Sequence, residues 1–268
     1  MRDRNGSLFA SERQEEIYAR ARRDGRVDSA GLAAELGVSH ETIRRDLKYL
    51  EDIELLRRVH GGAILVDRLQ FVPDLAERSL SMAEEKRAIG AAALSVIPDE
   101  GTVILDSGTT TARLAEALPA DIRLTVLTNS LPITQTLLDR PHIEILNLGG
   151  RVNRRTRSTS ESWALHALSE VSVDVAVLGA SGLSVRRGLT TSDQHESAVK
   201  RAMIKAARRV VVLADHSKFG ADLLSIVAPL PELDLLITDD GGDPAARQEL
   251  AAAGLAVEVI GTDRSRPA

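Results

Sequence analysis

The sequence contains no cysteine. That absence excludes disulfide staples, thiolate nucleophiles and zinc sites with cysteine ligands, and a reducing cytoplasm is the expected setting. Aromatic residues make up only 2% of the chain against 43% hydrophobic residues overall, so the core must be packed from alanine, valine, leucine and isoleucine. No apolar run approaches the roughly 20 residues needed to cross a bilayer. The opening residues 1–7 lack an apolar signal core, so a soluble cytoplasmic protein with no membrane partner is expected. A Walker A loop and a paired-histidine metal motif are also missing, so no cofactor or metal is expected.

An excess of positive charge is lacking too, since the formal net charge is −5. Residues 1–66 carry 12 basic and 12 acidic side chains and balance, while residues 67–268 carry 22 and 27. Any nucleic-acid affinity must therefore come from where the basic residues sit, not from bulk charge.

The chain has two textures, and 268 residues suit a small domain plus a larger one. Residues 8–66 show helical patterns and one hairpin. Residues 67–85 are polar and predict a linker leading into a helix over 86–96. Residues 86–262 predict an α/β domain. Its apolar strand candidates fall at 102–105, 124–127, 143–148, 173–178, 210–214, 233–238 and 256–260. Helical patterns lie between most of them, including 114–118, 133–138, 196–207 and 244–253. That alternation predicts a mostly parallel sheet.

In the first part, Ser11 and Gln14 have capping-box spacing and predict a helix from Glu12 to about Arg23, ended by Gly25. Ser29 is the expected cap of a second helix whose Leu32, Ala33 and Leu36 face inward. Gly37 and Val38 turn the chain, and Ser39 caps a third helix reaching about Asp52. Helix, glycine turn and helix form the helix-turn-helix pattern. In the third helix Ile43, Leu47 and Leu50 share one face. Glu41, Arg44, Arg45 and Lys48 then point away from it, flanked by Thr42 and with His40 at the tip. A cationic, hydrogen-bonding helix face suits a major groove, arginine pairing with guanine and lysine with phosphate. Residues 55–65 follow as two apolar segments around Gly61-Gly62, a hairpin loaded with Arg57, Arg58 and His60 that reads as a basic wing. The competing reading is a small helical domain with a solvated charged face. The coincidence of caps, cationic face and wing favours a double-stranded DNA partner.

In the second part, Asp106-Ser107-Gly108-Thr109-Thr110 follows a strand and opens a helix. Backbone amides and hydroxyls at the positive end of a helix dipole suit a phosphate, though an ordinary capped turn is an equal reading. Thr128-Asn129-Ser130, Gly149-Gly150 and Gly179-Ala180-Ser181-Gly182 also fall just beyond strand ends, where open α/β sheets hold ligands. Glu196 and Lys200 share a helix face at i, i+4, either as an exposed ion pair or with Lys200 reaching a ligand phosphate. Lys218 is a second cation candidate. Asp215-His216-Ser217 invites a triad, but adjacent residues at one strand end point in different directions. Gly179 to Gly182 lacks the last glycine of a nucleophile elbow. Trp163 reads as packing.

The run Val38-Ser39-His40-Glu41-Thr42-Ile43-Arg44-Arg45-Asp46-Leu47, with Arg58-Val59-His60-Gly61-Gly62-Ala63, closely resembles the signature of DeoR-family transcription regulators. The resemblance continues over nearly the whole chain in residues 102–111, Leu127-Thr128-Asn129-Ser130, Leu148-Gly149-Gly150 and Leu213-Ala214-Asp215-His216-Ser217-Lys218-Phe219-Gly220. It implies a winged helix-turn-helix ahead of a sensor domain that resembles sugar-phosphate isomerases. It also implies a repressor of a carbohydrate-use operon that responds to a phosphorylated sugar and works as a homo-oligomer, dimer or tetramer. It tilts Glu196, Lys200 and Lys218 toward the pocket. Two positions depart from the pattern. Glu54 stands where glycine is usual before the wing, and Ser160-Glu161-Ser162 occupies a segment where glycine is usual. The rival readings are a sugar-phosphate isomerase-like enzyme and a metabolite-binding module without a DNA role.

Overall fold

A computed structural model describes residues 10–24, 26–53, 55–59, 61–65 and 75–262. The expectations for Gly25, Glu54, His60, residues 67–74 and the tail beyond 262 lie outside the described residues. The chain divides into two compact units, Met1–Phe71 and Val72–Ala268.

The first unit runs α1 (Ala10–Asp24), β1 (Arg26–Asp28), α2 (Ser29–Leu36), α3 (His40–Asp52), β2 (Leu56–Val59) and β3 (Gly62–Leu65). Its three strands form an antiparallel sheet in the order β1-β3-β2. Ile17, Ala21, Leu32, Ile43, Leu47, Leu50, Leu56 and Ala63 close one small core. Two expected caps differ. The described α1 already includes Ala10 and Ser11, so Ser11 lies within the helix. Gln14 donates instead to Asp46, at 3.0 Å. Asp28, not Ser29, caps α2 by accepting from the Gly31 amide at 2.7 Å. Ser29 spends its hydroxyl on the Gly61 carbonyl, at 2.7 Å, because β1 brings it against the hairpin turn. Gly37 ends α2 in the left-handed conformation, φ 64°, as a glycine cap should.

The second unit opens with two helices, α4 (Leu75–Leu80) and α5 (Ala83–Ala92). The stretch expected to be linker up to 85 is therefore helical from Leu75, interrupted at Ser81 and Met82. Then follow β4 (Glu100–Leu105), α6 (Thr109–Ala117), β5 (Arg123–Thr128), α7 (Leu131–Leu137), β6 (Ile143–Asn147), β7 (Arg151–Asn153), β8 (Ser158–Ser160) and α8 (Ser162–Ser169). The remainder is β9 (Val173–Gly179), β10 (Gly182–Ser184), β11 (Gly188–Thr191), α9 (Gln194–Ala206), β12 (Ala207–Leu213), β13 (Ser225–Ala228), β14 (Leu235–Asp239), α10 (Pro244–Ala252) and β15 (Ala256–Ile260).

Seven strands form one sheet in the order β15-β14-β12-β9-β4-β5-β6, every pair parallel. Each contains one of the seven expected strands or most of it. Alternation along the strands sends Val103, Leu105, Val175, Val177, Val211 and Leu213 to one face, with α5, α6 and α7. Ile104, Ala176, Leu178, Val210 and Val212 go to the other, with α8, α9 and α10. Both faces are covered, which is why several of the strands read as continuous apolar runs. From β4 the chain steps outward to β5 and β6, and β9 then begins the opposite half. The order therefore reverses between β4 and β9, and the crevice beyond their carboxyl ends is where such sheets hold ligands. A hairpin, β7–β8, and a small antiparallel sheet, β10-β11-β13, sit outside the main sheet.

Candidate nucleic-acid interface and effector crevice

Three apolar side chains anchor α3. Ile43, Leu47 and Leu50 are 0%, 3% and 2% exposed, and each buried aliphatic side chain contributes about 1.5–3 kcal/mol. A fourth residue on that buried face is Asp46, which the sequence reading left unassigned. Its carboxylate accepts from Arg13 Nε at 2.5 Å and Arg13 Nη2 at 3.2 Å. Both partners are buried, so this pair fixes the rotation of α3 against α1, and removing one partner would cost about 3–5 kcal/mol.

With that face held, His40, Arg44, Arg45 and Lys48 are exposed together. Among the described residues Arg45 and Lys48 have no ion-pair partner. Arg44 lies 3.5 Å from Glu41, a contact that is exposed on both sides and easily exchanged for a phosphate. Ser39 caps α3 by accepting from the Thr42 amide at 3.2 Å, and the two hydroxyls share a hydrogen bond of 2.9 Å. These two residues therefore shape the helix tip as well as facing outward. In the wing, Arg57 lies on β2, and Arg58 is exposed and 3.8 Å from Glu51. Glu51 also accepts from the Arg58 amide at 2.9 Å, tying the wing to α3. The Gly61-Gly62 pair divides its labour. Gly61 takes φ 85°, and a Cβ at Gly62 would sit 2.0 Å from the Val27 carbonyl oxygen, so only glycine lets β1 close on the hairpin.

In the second unit the crevice is built around Asp106. It follows β4 and is fully buried. Its Oδ2 accepts from the Gly179 amide at 3.0 Å and from Lys200 Nζ. Its Oδ1 is buried and accepts no hydrogen bond. Lys200, only 2% exposed, also donates to the Gly179 carbonyl at 2.9 Å. The sequence reading offers Lys200 as an exposed ion pair or as a lysine reaching for ligand phosphate; the structure places it in a buried pair with Asp106. Its ammonium is committed inside the fold, bridging the ends of β4 and β9. Glu196, one turn earlier on α9, lies 3.9 Å from Lys200. Burial raises its pKa, and the neighbouring Asp106 adds to the rise against the opposing pull of Lys200.

Thr109 and Thr110 open α6 and Ser107 lies two residues before it, all nearly buried. Gly108 precedes the helix, and the first-turn amides have no carbonyl to bond within it. The Ser107 amide is already taken, donating to Asn129 Oδ1 at 3.0 Å. Asn129 in turn donates to the Thr159 carbonyl at 3.2 Å, so it knits the α6 turn to β8. Thr128 donates to the Leu105 carbonyl at 2.6 Å. Thr128 and Asn129 thus build the crevice wall. Gly149 and Gly150 turn the chain into β7 with φ 66° and 107°, and Gly150 lies against the Ser160 carbonyl. Gly182 abuts the Ala221 carbonyl, and Ser181 is half-buried beside it.

Lys218 is partly exposed, 3.8 Å from Asp215 Oδ2. Asp215 and Ser217 bond each other, whereas His216 Nδ1 meets Asp239 Oδ2 at 2.6 Å. No triad forms from 215–217. The hydrogen bond to Asp239 raises the pKa of His216 against its burial. The sequence reading missed Lys86 on α5. It is buried, donates to the carbonyls of Arg78 and Ser81 at 2.5 Å each, and lies 4.0 Å from Asp215. Trp163 is 76% exposed on α8 rather than packed in the core. Glu161 adopts φ 80°, ψ −160°, and pairs with Arg151 at 2.7 Å.

Comparison with known proteins assigns both units. The model described as the DeoR-like helix-turn-helix domain matches residues 13–68, and the DeoR C terminal sensor domain matches residues 81–240. The chain is 38% identical to the HTH-type transcriptional repressor GlcR of Bacillus subtilis, over 87% of this chain and 89% of that one. It is 37% identical to the HTH-type transcriptional regulator GlpR of Haloferax volcanii, over 87% and 91%. It is 31% identical to the HTH-type transcriptional regulator GolR of Listeria innocua, over 94% and 99%. Among solved structures, ribose 5-phosphate isomerase A of Methanocaldococcus jannaschii overlaps 52% of this chain and 55% of that one, at TM-score 0.38 and 18% identity. That partial overlap carries no chemical argument.

Proposed function

Because the chain belongs to the DeoR family of transcription regulators, we propose that it represses a carbohydrate-use operon and is controlled by a phosphorylated sugar. The carrying observation is the crevice at the β4/β9 reversal, joined in one chain to a helix with an outward cationic face. In the crevice, first-turn amides of α6 and the ammonium of Lys218 suit a phosphate. The unpartnered Oδ1 of Asp106 and the protonation-prone Glu196 suit neutral hydroxyls of the sugar. Lys200 holds Asp106 in place and meets the ligand only through it.

Two copies of the chain present two α3 helices to the half-sites of an operator. The protein works in the cytoplasm; no described helix is long and apolar enough to cross a membrane. The crevice binds without turnover, because Lys200 is locked in an ion pair and His216 and Ser217 are bonded to different carboxylates.

A thermal-shift panel of sugar phosphates, each beside its unphosphorylated parent, tests this reading. Mass action raises the melting temperature only for a compound that binds the folded state. One sugar phosphate should shift it while its parent does not, and that compound should release DNA and remain chemically unchanged on incubation. Isomerised product would overturn the sensor reading. A panel without any shift would overturn the phosphate cradle.

A further inference from the structure

Lys86 is the least expected charge in the second unit. It sits on the apolar face of α5 beside Ile89 and is 2% exposed. Its two short bonds reach the carbonyls of Arg78 and Ser81, at the carboxyl end of α4. A cation at that end satisfies carbonyls the helix cannot. The next residue, Met82, is a non-glycine in the left-handed region at φ 52°, ψ 42°. That conformation costs about 1–3 kcal/mol and persists only where its surroundings hold it.

On its other side Lys86 faces Asp215, at the carboxyl end of β12. Asp215 Oδ2 is fully buried and accepts no hydrogen bond, yet it lies 4.0 Å from Lys86 and 3.8 Å from Lys218. One carboxylate oxygen is thus balanced between two ammonium groups and bonded to neither. Burial pushes the pKa of Lys86 down to about 8 despite Asp215; Lys218 and Arg78 add to the fall, and Glu85 opposes it. The charge on Lys86 is therefore held with little to spare.

We propose that Lys86 is a positioning residue that carries occupancy of the effector crevice to α4, the first helix after residues 66–74. This rests on the reading of Lys218 as a phosphate contact. An anion that draws Lys218 away leaves Lys86 as the nearest ammonium to Asp215 Oδ2. Lys86 then closes from 4.0 Å to hydrogen-bond distance, gives up a carbonyl of α4, and frees the strained turn at Met82. The ligand biases two arrangements because Asp215 is satisfied differently in each.

Amide hydrogen exchange of the full chain tests this, with saturating inorganic phosphate against chloride of equal ionic strength. In the unmodified protein, phosphate should protect residues 107–111 and speed exchange over residues 78–86 by roughly threefold or more. Lys86→Met should keep the protection and lose the acceleration, and Lys86→Arg should restore part of it. Asp215→Asn, which removes the pull and keeps the shape, should also abolish the acceleration and serves if Lys86→Met does not fold. Protection at 107–111 with unchanged exchange at 78–86 overturns the relay alone. Loss of protection in Lys86→Met and Lys86→Arg makes Lys86 a direct ligand contact and overturns it too. No protection in the unmodified protein removes the underlying phosphate reading.

Discussion

His216 shows how one side chain couples strand ends to pH. Its Nδ1 and its amide both bond Asp239, and Gly241 and Gly242 close over the ring so tightly that a Cβ at Gly241 would lie 2.5 Å from Nδ1. Burial pushes Asp239 up, but bonds from the His216 ring and amide and from the Gly241 amide outweigh it and hold that carboxylate low. His216 is raised above its ordinary value of 6.5. Its contribution to stability is therefore fully present below the unfolded value and is lost as pH climbs through the raised folded value. Urea unfolding between about pH 6 and about pH 8 should show stability falling with pH. His216→Gln should flatten that slope. An equal slope in the variant would mean another group carries it. Lys86 acts with the opposite sign, since its lowered pKa makes stability rise with pH above about 8.

Among the elements, the junction from β8 into α8 is the most instructive. Within Ser160-Glu161-Ser162, Glu161 takes φ 80°, ψ −160°, a conformation suited to glycine. Glycine is the residue that meets this backbone demand without strain. The carboxylate pairs with Arg151 at 2.7 Å and lies 3.8 Å from His195, but these contacts are largely exposed and contribute at most about 1 kcal/mol. Glu161→Gly should therefore stabilise the fold by a net of about 1 kcal/mol, read as a raised melting temperature. Glu161→Ala should not, because it loses the pair and keeps the strain. If alanine stabilises as much as glycine, the strain is not what the position stores.

Across the whole molecule, charge is unfavourable to DNA in sum and favourable in place. A chain of net charge −5 must bind through a local surface, and α3 concentrates Arg44, Arg45 and Lys48 on the face opposite its buried residues. The salt dependence of binding to DNA selected by the protein from a random pool should report this. Lys48→Ala should lower the slope of log affinity against log salt by about 1 for each bound copy, without changing the preferred sequence. Arg45→Ala should cost about 1–3 kcal/mol and relax the preference at one position. An unchanged slope in Lys48→Ala would turn this helix face away from the phosphates.

Local pattern carried much of the fold. The seven strands of the sheet were legible as apolar segments, several of them β-branched runs, because burial on both faces leaves the inner strands little polar alternation to read. The outward face of α3 was legible because its periodicity repeats within two turns. So was the Gly61-Gly62 turn. What the sequence could not disclose is which charge meets which. Arg13 and Asp46 are 33 residues apart, and Lys200 and Asp106 are 94 apart. One signal was present: Asp46 and Lys86 lie on apolar helix faces, where a charge demands a partner. The partner itself is chosen by the order in which strands enter the sheet. That order brings the ends of β4 and β9 together, turns Lys200 from a free cation into a structural one, and sets Lys86 between a helix end and a buried carboxylate.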